Sequence, residues 1–82
     1  MSTVPIPTYT AVHRSAIDEL LEGYVSWREA CRAVWLAYER WISSDRAERG
    51  LGYAAYLAAL DREERAARTY AHHTARVARF SA

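Results

Sequence analysis

Ser15–Ile42, SAIDELLEGYVSWREACRAVWLAYERWI, decides the fold. Ile17, Tyr24, Cys31 and Tyr38 recur every seven residues, and Leu20, Trp27, Val34 and Trp41 form a second seven-residue series three places on. Apolar residues alternating by three and four over this length make an a/d seam on one long amphipathic helix. A third row, Leu21, Trp35 and Ile42, widens the seam, with Arg28 its one charged member, and all three tryptophans of the protein fall in this stretch. Val25 and Leu36 are further apolar residues outside it. The rest of the chain has to cover this face.

Downstream, the pattern stops near Ser43. Asp45-Arg46-Ala47-Glu48 has the spacing of a capping box, which predicts a second helix from about residue 46 to 79, although Gly50 and Gly52 are breakers inside its first turns. That helix carries a thinner stripe, Tyr53, Tyr56, Leu60, Glu63, Ala67, Tyr70, Thr74 and Val77, with alanine where the first helix has tryptophan. Large side chains are therefore expected to pack against small ones. Upstream, the first helix is expected over about 11–43, with Thr10 as its N-cap and Ser15 as the competing cap. Residues 1–9, with Pro5 and Pro7, read as an extended arm that could lay Val4, Ile6 and Tyr9 on a helix face. Gly23 costs the helix ~1 kcal/mol relative to alanine and is expected to mark a close helix approach opposite Trp27. Two nearly equal arms about a tight turn predict an all-α antiparallel two-helix hairpin that associates, most simply as a two-fold dimer, into a four-helix bundle.

Composition narrows the function classes. Eighty-two residues make one small domain, and small scaffolds lean on disulfides, metals, oligomerisation or very regular helix packing. A single cysteine excludes an intrachain disulfide and fits a reducing compartment. The net charge is +1, with no lysine, asparagine or glutamine, so every basic residue bar histidine is arginine. This composition reads as the codon bias of a GC-rich genome. No apolar run reaches the ~18 residues of a membrane span, and MSTVPIPTYT lacks the charged and apolar regions of a secretory signal. The expectation is a cytoplasmic protein, with leaderless export left open.

The groups that could carry chemistry each have a structural explanation. Arg65, Arg68, His72, Arg76 and Arg79 line one face of the second helix. In an antiparallel hairpin this basic end lies beside Asp18, Glu19 and Glu22, so charge pairing is expected and nucleic-acid binding is not. Glu63 interrupts an apolar stripe, and a carboxylate there needs a partner. Arg28, Arg32 or a tyrosine hydroxyl is expected to provide it, forming a structural pair. Cys31 reads as a small core hydrophobe. His72 and His73 point ~100° apart on a helix, and His13 could approach them across the hairpin. A metal- or haem-binding bundle built on these three is an alternative, but the Glu-x-x-His pattern of di-iron helices is missing, and no cofactor or metal is expected. No nucleophile–base pair or acid pair in a cleft is found, so the chain is not expected to be an enzyme. The expected function is protein–protein interaction, as an adaptor, regulator or assembly component. Its interface residues would be Trp27, Trp35, Tyr38, Trp41, Tyr53 and Tyr56, and its partner a second copy or another helical protein.

Trp41-Ile42-Ser43 resembles the Trp-x-Gly turn between the two long helices of small type VII-secreted hairpin proteins, with serine in the glycine position. The resemblance implies a leaderless, exported partner protein of the same hairpin outline. That family's C-terminal export signal, tyrosine with an acidic residue four places later, is not present: Tyr53, Tyr56 and Tyr70 are followed at that spacing by Leu57, Leu60 and Thr74.

Overall fold

Long stretches of three–four periodicity dictate long helices, and the computed structural model, which describes residues 8–81 and the side chains of 11–80, has two. Helix α1 spans Thr8–Ser43 and helix α2 spans Arg49–Ser81, packed antiparallel, with no strand among the described residues. The arm at residues 1–7 and the side chain of Tyr9 lie outside what is described. No described helix is long and apolar enough to cross a membrane.

The ends differ from the sequence expectation in instructive ways. Helix α1 already includes Thr8, Tyr9 and Thr10, so neither Thr10 nor Ser15 is its cap. The last helix breaker is Pro7, and nothing beyond it stops the ladder running back. At the other end, the Ser43 and Ser44 hydroxyls donate to the carbonyls of Glu39 (2.7 Å) and Trp41 (2.6 Å), and the Ser44 amide also donates to the Trp41 carbonyl at 3.3 Å. Asp45 does cap α2: its Oδ1 accepts the Glu48 amide at 2.9 Å. Residues 46–48 form the capped turn, and the ladder proper begins where the Gly52 amide donates to the Glu48 carbonyl at 2.9 Å. Helix α2 therefore starts at Arg49 rather than 46, with Gly50 and Gly52 inside its first turn.

The seam is shifted by one residue from the pattern that the large side chains suggest. Among the described residues the buried positions are Ala16, Gly23 and Ala30 on α1 and Ala59 on α2, and no larger side chain is fully buried. Ala16, Gly23, Ala30 and Ala37 form a seven-residue row of their own, answered by Gly52, Ala59 and Ala66 on α2. Small rows let two helix backbones approach closely. A Cβ on Gly23 would stand 3.0 Å from the His73 ring, and one on Gly52 would stand 3.2 Å from the Trp41 Cα. The Gly23 approach is thus to His73 and Tyr70 of α2.

This displaces Ile17, Tyr24, Cys31 and Tyr38 from the seam to its flank, where Ile17, Tyr24 and Tyr38 are exposed and Cys31 is half-buried. Only the Leu20, Trp27, Val34 and Trp41 row stays between the helices, half-buried. There large meets large, contrary to the large-against-small expectation. Trp27 stacks on Tyr70 (centroids 5.6 Å apart, planes 9° apart) and Trp41 on Tyr56 (5.4 Å, 19°).

Candidate interaction surface

A hairpin one helix thick has two broad sides, and the contacts between the helices distinguish them. On one side Tyr24 meets Tyr70 (5.7 Å), Tyr38 meets Tyr56 (5.8 Å) and Trp41 meets Tyr53 (5.0 Å). On the other, Glu19 meets His73 and Arg76, and Ser26, Glu29 and Ala30 face Arg62 and Ala66 across a shallow cleft. The molecule therefore has an aromatic side and a polar side.

The aromatic side is built from the displaced row and its neighbours. Trp35 is 59% exposed and Leu21 and Ile42 are each 57% exposed, although these are among the largest apolar side chains of α1. Trp35 is stacked only on Tyr38 of its own helix, at 5.9 Å. Helix α2 adds Tyr53 and Leu57, also exposed. Between the helices an open groove of about 410 Å³ is lined by Cys31, Val34, Trp35, Tyr38 and Tyr56. Cys31 is thus a groove residue rather than a core one.

Of the residues expected to form an interface, Trp35, Tyr38 and Tyr53 are exposed on this side, and Tyr56 lines its groove. Trp27 and Trp41 lie deeper, stacked between the helices. Tyr24, Leu21 and Ile42, which the sequence places on the apolar face of α1 but not among its interface residues, stand exposed beside them, as does Leu57, which the sequence reading left out. The signal that would have found Tyr24 is the row of small residues one position ahead of it.

A few charged groups join the two helices. Glu63 finds its partner in neither arginine nor a tyrosine: the Trp27 indole Nε1–H donates to Glu63 Oε1 at 2.9 Å. The indole lies in the seam beside Glu63, whereas Arg28 and Arg32 are exposed, and neither pairs with Glu63 among the described residues. Of the basic stripe, Arg76 reaches across to Glu19 at 2.7 Å, and Arg68 contacts Glu64 of its own helix at 3.6 Å. No ion pair to Asp18 or Glu22 is found for Arg65, His72 or Arg79 among the described residues. His73, rather than His72, faces Glu19; its Nδ1 is buried without a hydrogen-bond partner, 3.8 Å from the carboxylate. The His13 ring lies against Phe80 at 5.4 Å, nearer the end of α2 than the histidine pair. Among the described residues, no three His, Cys, Asp or Glu side chains gather to hold a metal ion. Compared with protein-family models, curated proteins and solved structures, the chain matches none.

Proposed function

We propose that the protein is a protein–protein interaction module that works by binding and not by catalysis, and that its aromatic side is the binding surface. One observation carries this reading. Trp35, Leu21 and Ile42 stand more than half exposed on the aromatic side, while among the described residues nothing larger than alanine is fully buried; Leu51 and Val25, also more than half exposed, lie away from that side. Monomeric proteins rarely expose contiguous apolar surface on this scale, and tryptophan and tyrosine dominate interface energetics. A helical partner lying along the groove would bury the Trp35–Tyr38 stack and the flanking Ile42 and Leu57 together.

The test is a photo-crosslinking amino acid placed at Trp35 or, as the control, at Ser26 on the polar side, in the cell that makes the protein. The expected result is a protein adduct at Trp35 and none at Ser26. Adducts at Ser26 alone, or at neither position, would overturn the assignment of the surface. The type VII reading draws support from the hairpin outline and from Trp41, which stands in the last turn of α1 against Gly52. Finding the protein in culture filtrate of intact cells is its test.

A further inference from the structure

We infer that the occupant of the aromatic side is a second copy of this chain, related by a two-fold axis parallel to the helices, so that both turns lie at the same end. This rests on the interaction reading above and names its partner.

The first argument is area. The chain exposes 6602 Å², whereas a compact monomer of 9.4 kDa exposes about 5,000 Å². The thinnest Cα dimension is 13 Å, a single layer of helices, and a domain core needs two layers. Two helices side by side, each about 50 Å long and 10 Å wide, present about 1,000 Å². That exceeds the ~800 Å² per partner of a standard interface. A second copy supplies a layer of the same outline and the same apolar character, completing a four-helix bundle.

The second argument is charge, and it selects the axis. The outer row of α1 on this side is Leu21, Arg28, Trp35 and Ile42, and the matching positions on α2 include Leu57 and Glu64. Arg28 and Glu64 are thus the charged members of these two rows, and they are of opposite sign. The Tyr24–Tyr70 and Tyr38–Tyr56 contacts fix the level of one helix against the other, and they put Arg28 and Glu64 within about one helical turn of each other along the hairpin. In the single copy Arg28 makes no ion pair among the described residues, and Glu64 has only its exposed contact with Arg68. A two-fold axis along the helices lays α1 of one copy antiparallel on α2 of the other. Arg28 then meets the partner's Glu64, twice over, and Trp35 meets the partner's Leu57. A two-fold axis across the hairpin lays α1 on α1 and brings Arg28 toward the partner's Arg28, placing like charges together.

Sedimentation equilibrium of the full chain tests the occupant. An interface of this size binds at micromolar or better, so a species of twice 9.4 kDa is expected at ~100 μM. A well-folded monomer at that concentration overturns the inference, while a crosslink at Trp35 to a different protein would leave the interaction reading standing. Orientation is tested with spin labels on Ala47→Cys in a Cys31→Ala background. Turns at one end give an inter-copy distance under about 30 Å, whereas turns at opposite ends, about 50 Å apart, overturn the assigned axis. Arg28→Glu and Glu64→Arg, both at exposed positions, should each weaken dimerisation about tenfold, with helicity by circular dichroism unchanged at concentrations where the dimer still forms. The double variant should return to within about threefold of the original. A double variant no better than either single one would also overturn the pairing.

Discussion

Gly50 and Gly52 sit two residues apart at the start of α2, and an added methyl group meets a different environment at each. At Gly50 it meets nothing within 4 Å, and at Gly52 it meets the Trp41 backbone at 3.2 Å. Gly50→Ala should therefore stabilise the protein by up to ~1 kcal/mol through helix propensity alone. Gly52→Ala should destabilise it by about 1–2 kcal/mol, because a backbone atom cannot swing aside and the helices must part. Urea denaturation of both variants checks the pair, and equal gains would mean that the helices do not touch there. The Trp27–Glu63 bond gives a second contrast at this scale. Glu63→Ala leaves the half-buried indole N–H without its acceptor and should cost about 1–2 kcal/mol. Glu63→Gln keeps an oxygen in place and should recover much of that loss. A Glu63→Ala variant melting at or above the original temperature would remove the bond from the account.

Among the described residues, a cap at the start of α2 and the Glu19–Arg76 pair across the helices contribute unequally. Asp45 caps α2 through the Glu48 amide, and Asp45→Ala should cost about 1 kcal/mol, measurable by thermal denaturation. The Glu19–Arg76 pair is about one-third exposed on both partners (39% and 35%). Glu19→Gln should therefore lower stability by under about 1 kcal/mol, and the difference should shrink in added salt. If added salt leaves it unchanged, the pair is acting through packing rather than charge. Arg65, His72 and Arg79 remain on the outer face of α2. With a net charge of +1 for the chain, they should not hold DNA or RNA at physiological salt. Micromolar binding that falls steeply with salt would contradict this.

At the scale of the whole molecule, the hairpin lacks the buried mass that makes a small domain stable alone. Its fully covered side chains are alanines, at 1%, 6% and 5% exposure, and alanine contributes little hydrophobic area. Most of its stability should come from covering the aromatic side, so unfolding and dissociation should be coupled. The melting temperature is then expected to rise with protein concentration, followed by circular dichroism between about 5 and 500 μM. A melting temperature independent of concentration would mean that the hairpin stands alone. Trp35→Glu places a charge in the middle of that side and should lower the melting temperature at high concentration more than at low.

Two long helices, a turn beginning near Ser43 and the cap at Asp45 follow from the sequence, because periodicity and capping are local. They depend on residues three or four apart, whatever the rest of the chain does. Of the six aromatic residues that the sequence marks as an interface, Trp35, Tyr38 and Tyr53 stand exposed, whereas Trp27 and Trp41 stack between the helices. Which seven-residue row would face α2 was a tertiary decision. Ile17, Tyr24, Cys31 and Tyr38 form the more apolar row, but Ala16, Gly23, Ala30 and Ala37 form the one that lets the backbones meet. Close approach won because the small residues stand where the other helix comes nearest, Gly23 against His73 and Tyr70 and Gly52 against the Trp41 backbone, a match between helices that no local pattern shows. The same choice turned the large row outward and made a surface of it. It also gave Glu63 an indole in place of a guanidinium, since the residue beside it in the seam is Trp27 and not Arg28.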